Sequence, residues 1–138
     1  MLTGLWTVGI KVPDLDRELA FHRSMGNTVV LDETLEFAGN RFRIPLIRMG
    51  DKYLHIAERM VYEHLLDQPL AYGIVHLVYM SDGIERDLEI AKASGAVPFI
   101  SLADITGGFG RRKVAFLRSP NGYIFEIIQI LENLVPPV

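Results

Sequence analysis

Eight short stretches of this chain carry the apolar patterning of β-strands, and their order repeats after about half the chain. From residue 5 to 12, Trp6, Val8, Ile10 and Val12 alternate with Thr7, Gly9 and Lys11, as in a strand with one face on a core. Pro13-Asp14 follows, and an Asp there accepts hydrogen bonds from the free N–H groups that open a helix. LDRELAFHRSM, residues 15 to 25, fits a helix of about three turns, and Gly26 is placed to stop it. NTVVLDETLEFAG (27–39), RFRIPLIRM (41–49) and KYLHIAE (52–58) read as strands, the last two joined at the turn-prone Gly50-Asp51. Pro45 predicts an edge or a bulge in the middle one.

The same order begins again at YGIVHLVYM (72–80), with Asp82 as a helix cap, GIERDLEIAKAS (83–94) as a helix and Gly95 as its stop. AVPFIS (96–101), RKVAFLR (112–118) and YIFEIIQIL (123–131) follow as strands, with the turn Ser119-Pro120-Asn121-Gly122 before the last. Asp14 and Asp82 are 68 residues apart, Gly26 and Gly95 are 69 apart, and Gly50 and Asn121 are 71 apart. The expectation is therefore an α+β fold of two tandem βαβββ units, because one such unit alone leaves a sheet face and an edge uncovered. Unit one spans 1–59, a connector 60–71, unit two 72–131 and a tail 132–138, all in one domain. VYEHLL, within the connector, fits a short helical turn that Pro69 discourages from continuing.

Composition narrows the chemistry. With 138 residues, of which 49% are hydrophobic, the chain supplies one core. A net charge of -3, spread along the sequence, argues against a nucleic-acid partner. No apolar run approaches the roughly 20 residues that span a bilayer, and the start MLTGLWTVGIKVPD lacks a basic, then apolar, leader pattern, so a cytoplasmic protein is expected. Zero cysteines remove thiolate ligands and a cysteine nucleophile, leaving His, Asp and Glu as metal ligands. No G-x-S-x-G elbow is present. The glycine-rich TGGFGRRK (106–113) precedes a strand rather than a helix, so it is no phosphate cradle. It fits a flexible hairpin loop or a cover over a cleft.

Four positions correspond between the units: Thr7 with His76 on the first strands, and His55 with Glu126 on the last. Internal symmetry predicts that they converge, and two imidazoles with a carboxylate can bind a first-row divalent cation with positions left open. Taken alone, His76 within an apolar strand is more often a hydrogen-bonded core residue. A buried Glu126 costs several kcal/mol unless it is paired or protonated. A salt bridge to Arg111, Arg112 or Lys113 is the plainer role for it. His22 and His64 lie outside these positions and are read as surface or packing residues.

The segments VGIKVPDLDRELAF, IVHLVYMSD and VAFLRSPNGYIFEIIQ resemble the vicinal oxygen chelate superfamily of glyoxalases, bleomycin-resistance proteins and extradiol dioxygenases, over nearly the whole chain. The resemblance implies an eight-stranded mixed sheet curled into a cup, with the helices on its outer face. It also implies metal ligands at the four matched positions, although Thr7 stands where the family commonly has histidine, and a hydroxyl is a weak ligand. The metal set is then His55, His76 and Glu126, with Thr7 at a fourth position, holding a zinc, nickel, cobalt, manganese or iron ion. Glu126 becomes the catalytic proton carrier of a glyoxalase-like isomerase, epimerase or lyase that passes through an enolate on a small oxygen-bearing substrate. Tyr53, Phe109, Arg111 and Phe116 are the candidate substrate contacts, and a homodimer is expected from the family architecture. Two alternatives share the cup: a protein that sequesters a small molecule or antibiotic without turnover, and an Fe(II)-dependent ring-cleaving dioxygenase. The dioxygenases' two histidines correspond to Thr7 and His76.

Overall fold

The computed structural model describes residues 1–137. Its elements run β1 (Leu2–Lys11), α1 (Leu15–Ser24), β2 (Thr28–Leu31), β3 (Thr34–Phe37), β4 (Asn40–Arg43), β5 (Leu46–Met49), β6 (Lys52–Ala57), β7 (Gly73–Ser81), α2 (Ile84–Ala93), β8 (Val97–Gly107), β9 (Gly110–Arg118) and β10 (Ile124–Asn133). A turn of 3-10 helix, Glu63–Leu65, lies between β6 and β7. The class is α+β, and the strand–helix–strands order occurs twice. The chain forms two compact units: an N-terminal one of Thr7–Val75 with the residues from Val135 on, and a C-terminal one of Met1–Trp6 and His76–Leu134.

In the N-terminal unit the strand order is β2-β5-β6-β1. β1 and β6 run parallel, and the other neighbours are antiparallel. Helix α1 begins as its sequence predicts, with the Asp14 carboxylate accepting from Arg17 N at 3.1 Å. Leu15, Leu19 and His22 recur at helical spacing on its buried face. Leu15 and Leu19 pack with Val12, Ile47, Leu54 and Ile56, so the odd-even alternation of β1 and β6 puts one set of side chains under the helix and frees the other.

The C-terminal unit has the same topology, with β7-β10-β9-β8 corresponding to β1-β6-β5-β2 and β7 parallel to β10. Ile84 and Leu88 of α2 pack on Ala115, Leu117, Phe125 and Ile127. Asp82 is not the cap expected of it, because its carboxylate is engaged by Arg86 and the Met1 amino group. The opening N–H groups are met instead by Ser81 Oγ, from Gly83 N, and by Gln129 Oε1, from Ile84 N, both at 3.0 Å.

Each unit builds the two strands farthest from its first strand as one long hairpin, and the two hairpins differ. β8 and β9 stay paired from Val97 to the Gly107–Gly110 end, with irregularities at Pro98/Ile100 and Ile100/Ala103. The strand expected over 96–101 is thus longer, and the glycine-rich segment is the end of this ladder with only Gly108 and Phe109 between the strands. In the N-terminal unit the hairpin breaks at Ile44-Pro45, where proline offers no N–H to a ladder. Its distal part becomes the separate β3–β4 pair. Ala38 and Gly39, both with positive φ, make the β3–β4 turn.

At Gly110, with φ +108, a side chain has no space, since a Cβ would collide with the Glu132 carbonyl oxygen. Gly110→Ala is expected to lower stability by about 2 kcal/mol or more in denaturant unfolding. An unchanged midpoint would show that β9 and β10 shift apart here without cost.

Candidate active site

On β10, Phe125 and Ile127 face α2, so Glu126 between them faces the opposite side. Glu126 stands opposite Val78 on parallel β7 and opposite Phe116 on antiparallel β9. His76 lies two residues before Val78 and therefore shares that side, with its Nε2 3.8 Å from Glu126 Oε2. The side chains are 7% and 12% exposed. The Phe116 ring meets the His76 ring edge-on at 5.8 Å, and Phe99 tilts against Phe116 at 6.3 Å. An imidazole and a carboxyl thus share a nearly dry, apolar wall. Loss of water pushes the Glu126 carboxyl up to about 8, because burial penalises the ionised form.

Thr7, Tyr53 and His55 gather in the N-terminal unit. Thr7 pairs with Tyr53 and Gly9 with His55 across parallel β1 and β6. These residues lie on the side away from α1, as His76 and Glu126 lie on the side away from α2. His55 also stands opposite Leu46 of β5. The buried Thr7 hydroxyl donates to Tyr53 O at 2.6 Å, so its proton is committed to the chain. The Tyr53 ring is buried, its hydroxyl donates to Pro136 O at 2.6 Å, and burial raises its ionisation above the usual range. Among the described residues no group of three or more His, Cys, Asp and Glu side chains is spaced to hold a metal ion. His76 and Glu126 supply two such donors within one unit.

Of the expected substrate contacts on β9 and its turn, Phe116 lines the wall beside His76. Arg111 has the opposite parity from Phe116 and is held in a two-pronged ion pair by Asp104, at 3.0 and 2.7 Å. Phe109 is buried beneath another cation, Arg112.

Arg112, a candidate salt-bridge partner of Glu126 in the sequence, shares the side of Phe116 and Glu126 and is 1% exposed. Its guanidinium lies 5.5 Å from the Trp6 ring and 5.1 Å from that of Phe109. Nη2 donates to Phe109 O at 2.8 Å and Asn133 Oδ1 at 3.0 Å, and Nη1 donates to Arg111 O and Glu132 O. Burial lowers its pKa from the usual arginine value. The parity of RRKVAFLR carried the signal, because Arg112 alternates in phase with Val114 and Phe116.

No protein-family model matches the sequence, and no curated protein matches it. Solved structures do. A variant of Streptomyces coelicolor methylmalonyl-CoA epimerase in complex with 2-nitronate-propionyl-CoA superposes with a TM-score of 0.74, at 19% identity over 96% of this chain and 100% of that one. Methylmalonyl-CoA epimerase from Mycobacterium tuberculosis gives 0.69 at 20% identity, over 93% and 88% of the two chains. A xylose isomerase-like TIM barrel/4-hydroxyphenylpyruvate dioxygenase fusion protein gives 0.67 at 18% identity, over 94% of this chain and 26% of that one. These neighbours, together with the doubled βαβββ topology, show that the chain has the fold of the vicinal oxygen chelate superfamily.

Proposed function

We propose that the chain is an epimerase- or isomerase-type enzyme that moves a proton at a carbon next to a carbonyl group, with Glu126 as the proton carrier. The observation that carries this reading is the buried Glu126 carboxyl, pushed up to about 8 beside His76. A general base works best with a pKa close to the working pH, where it is both available and strong enough to take the proton. Phe116 limits water at the acid, so a proton taken from substrate is kept for return rather than lost to solvent.

The donor types of His76 and Glu126 fit two ligand positions of a borderline divalent ion. When bound, such an ion would supply positive charge to polarise a carbonyl oxygen of the substrate. It would also draw the Glu126 pKa down from its metal-free value toward the working pH and so favour the proton-accepting form. The substrate class is a small carbonyl compound with an acidic neighbouring C–H. The like-folded epimerases make methylmalonyl-CoA the first compound to try. We further propose a cytoplasmic homodimer; among the described residues no helix is long and apolar enough to cross a membrane.

The test is deuterium uptake from heavy water into methylmalonyl-CoA, followed by mass spectrometry with each of zinc, cobalt, nickel and manganese. Uptake that depends on the ion and is lost in His76→Ala supports the reading. Uptake by the wild type that continues undiminished in Glu126→Gln contradicts it. One observation favours the sequestering alternative: the Thr7 hydroxyl, at the fourth of the matched positions, is spent on Tyr53 O. Tight binding without exchange, surviving both substitutions, would select that alternative.

A further inference from the structure

The C-terminal unit has a concave surface on the side of its sheet that carries α2. It is a cavity of about 670 Å³, within the range that holds drug-sized molecules. One wall is α2, through Ile90 and Ala91, and the other is the turn before β10, through Pro120 and Tyr123. Its floor is Tyr79 and Phe125. Because Phe125 and Glu126 are neighbours on one strand, this cavity and the Glu126 wall lie on opposite faces of the unit.

We propose that this cavity is a binding site for an uncharged aromatic small molecule bearing a hydrogen-bond acceptor, separate from the proton-transfer site. The aromatic preference comes from three rings in sequence. Tyr79 and Tyr123 each tilt against Phe125, with centroids 5.6 and 5.7 Å away and interplanar angles of 46° and 49°. Rings in this arrangement present both faces and edges to another aromatic body.

The requirement for an uncharged ligand comes from the rim. The two cations there, the Arg86 guanidinium and the Met1 amino group, are both paired with Asp82 and Asp87, at 2.5–3.5 Å, so a charged ligand meets no spare counter-ion. The acceptor comes from the two hydroxyls, 3.1 Å apart. One donates to the other, which leaves one hydroxyl proton for a ligand oxygen. Burial and the Tyr123 hydroxyl keep the Tyr79 group protonated, with its pKa pushed up to about 12.

Equilibrium dialysis of the full chain against 2-naphthol, which is uncharged at neutral pH and fluorescent, tests the proposal. Saturable uptake of one molecule per chain is expected. Ala91→Phe, which fills the cavity from the helix side, and Tyr123→Ala, which removes the opposite wall, should each weaken uptake about tenfold or more. Glu126→Gln should leave it unchanged. The Tyr123 side chain is 53% exposed, so its removal decides the matter even if Ala91→Phe disturbs the fold. Absence of saturable uptake overturns the proposal. So does uptake that Glu126→Gln abolishes and Tyr123→Ala spares, which would place the ligand on the other face. Light scattering that shows a dimer dispersed by Tyr123→Ala would assign the cavity to a second copy of the chain, again overturning it.

Discussion

Glu126→Gln is expected to reduce turnover about 10²–10⁴-fold, the usual contribution of a positioned general base, while leaving the fold intact. The amide keeps the shape of the carboxyl and removes its charge. The same substitution has a stability signature that works in the opposite direction. In the metal-free protein the folded carboxyl titrates at about 8, whereas the unfolded one titrates near its ordinary value of 4.5. Between these values the unfolded chain has released a proton that the folded chain still holds. Stability is therefore full below about pH 4.5, declines as pH rises, and levels off above about pH 8. The total loss is on the order of 5 kcal/mol at most, from about 1.4 kcal/mol per pH unit. Denaturant unfolding across this window should show the decline in the wild type and a flatter profile in Glu126→Gln. A saturating divalent ion should reverse the wild-type decline, because it favours the ionised form. Equal pH profiles for the two proteins would remove Glu126 from the role given to it.

The second large effect is at Arg112. Arg112→Met keeps a long apolar stem against Trp6 and Phe109 but leaves the carbonyl oxygens of Phe109 and Glu132 and the Asn133 side chain without this donor. Buried acceptors that lose their donors cost about 1–3 kcal/mol each when water does not reach them. The Phe109 carbonyl keeps Leu134 N as a donor and Glu132 and Asn133 are exposed, so a loss on the order of 1–3 kcal/mol in denaturant unfolding is expected, a large fraction of a marginal domain's stability. Arg112→Lys keeps the charge but not the planar fork, so it should recover only part of the loss. A methionine variant as stable as the wild type would mean that these carbonyls find other partners, and that the buried cation contributes little.

The repeat, the α+β class and the helix limits were legible because they rest on local rules. Asp14 caps α1 in the way its side chain allows, and Gly26 and Gly95 take the positive φ that ends each helix. The failures are places where a local signal was overridden by a contact distant in sequence. Asp82 has a capping side chain, but Arg86 and the N-terminal amino group claim it. The glycines at 107, 108 and 110 suggested a free loop, yet the β8–β9 ladder runs on to Gly107 and Gly110. Pro45 was expected to perturb one strand and instead divides it, which detaches β3 and β4 as their own pair.

The candidate site was legible to the extent that strand parity governs it. His76 and Glu126 fall on one face because β7 and β10 are parallel in a register that puts Glu126 beside Val78. Parity also distinguishes Arg112, on the Glu126 face, from Arg111, the expected contact, on the other. The depth of burial that raises the Glu126 carboxyl is a property of packing by Phe116 and its neighbours, which no residue spacing encodes.

The most direct test of the central claim is a carbon-13 NMR titration of the Glu126 carboxyl in metal-free protein, assigned by comparison with Glu126→Gln. A midpoint near 8 that moves strongly toward acid pH on saturation with a divalent ion is the predicted result. A midpoint at the ordinary glutamate value, unmoved by any ion, would contradict the account.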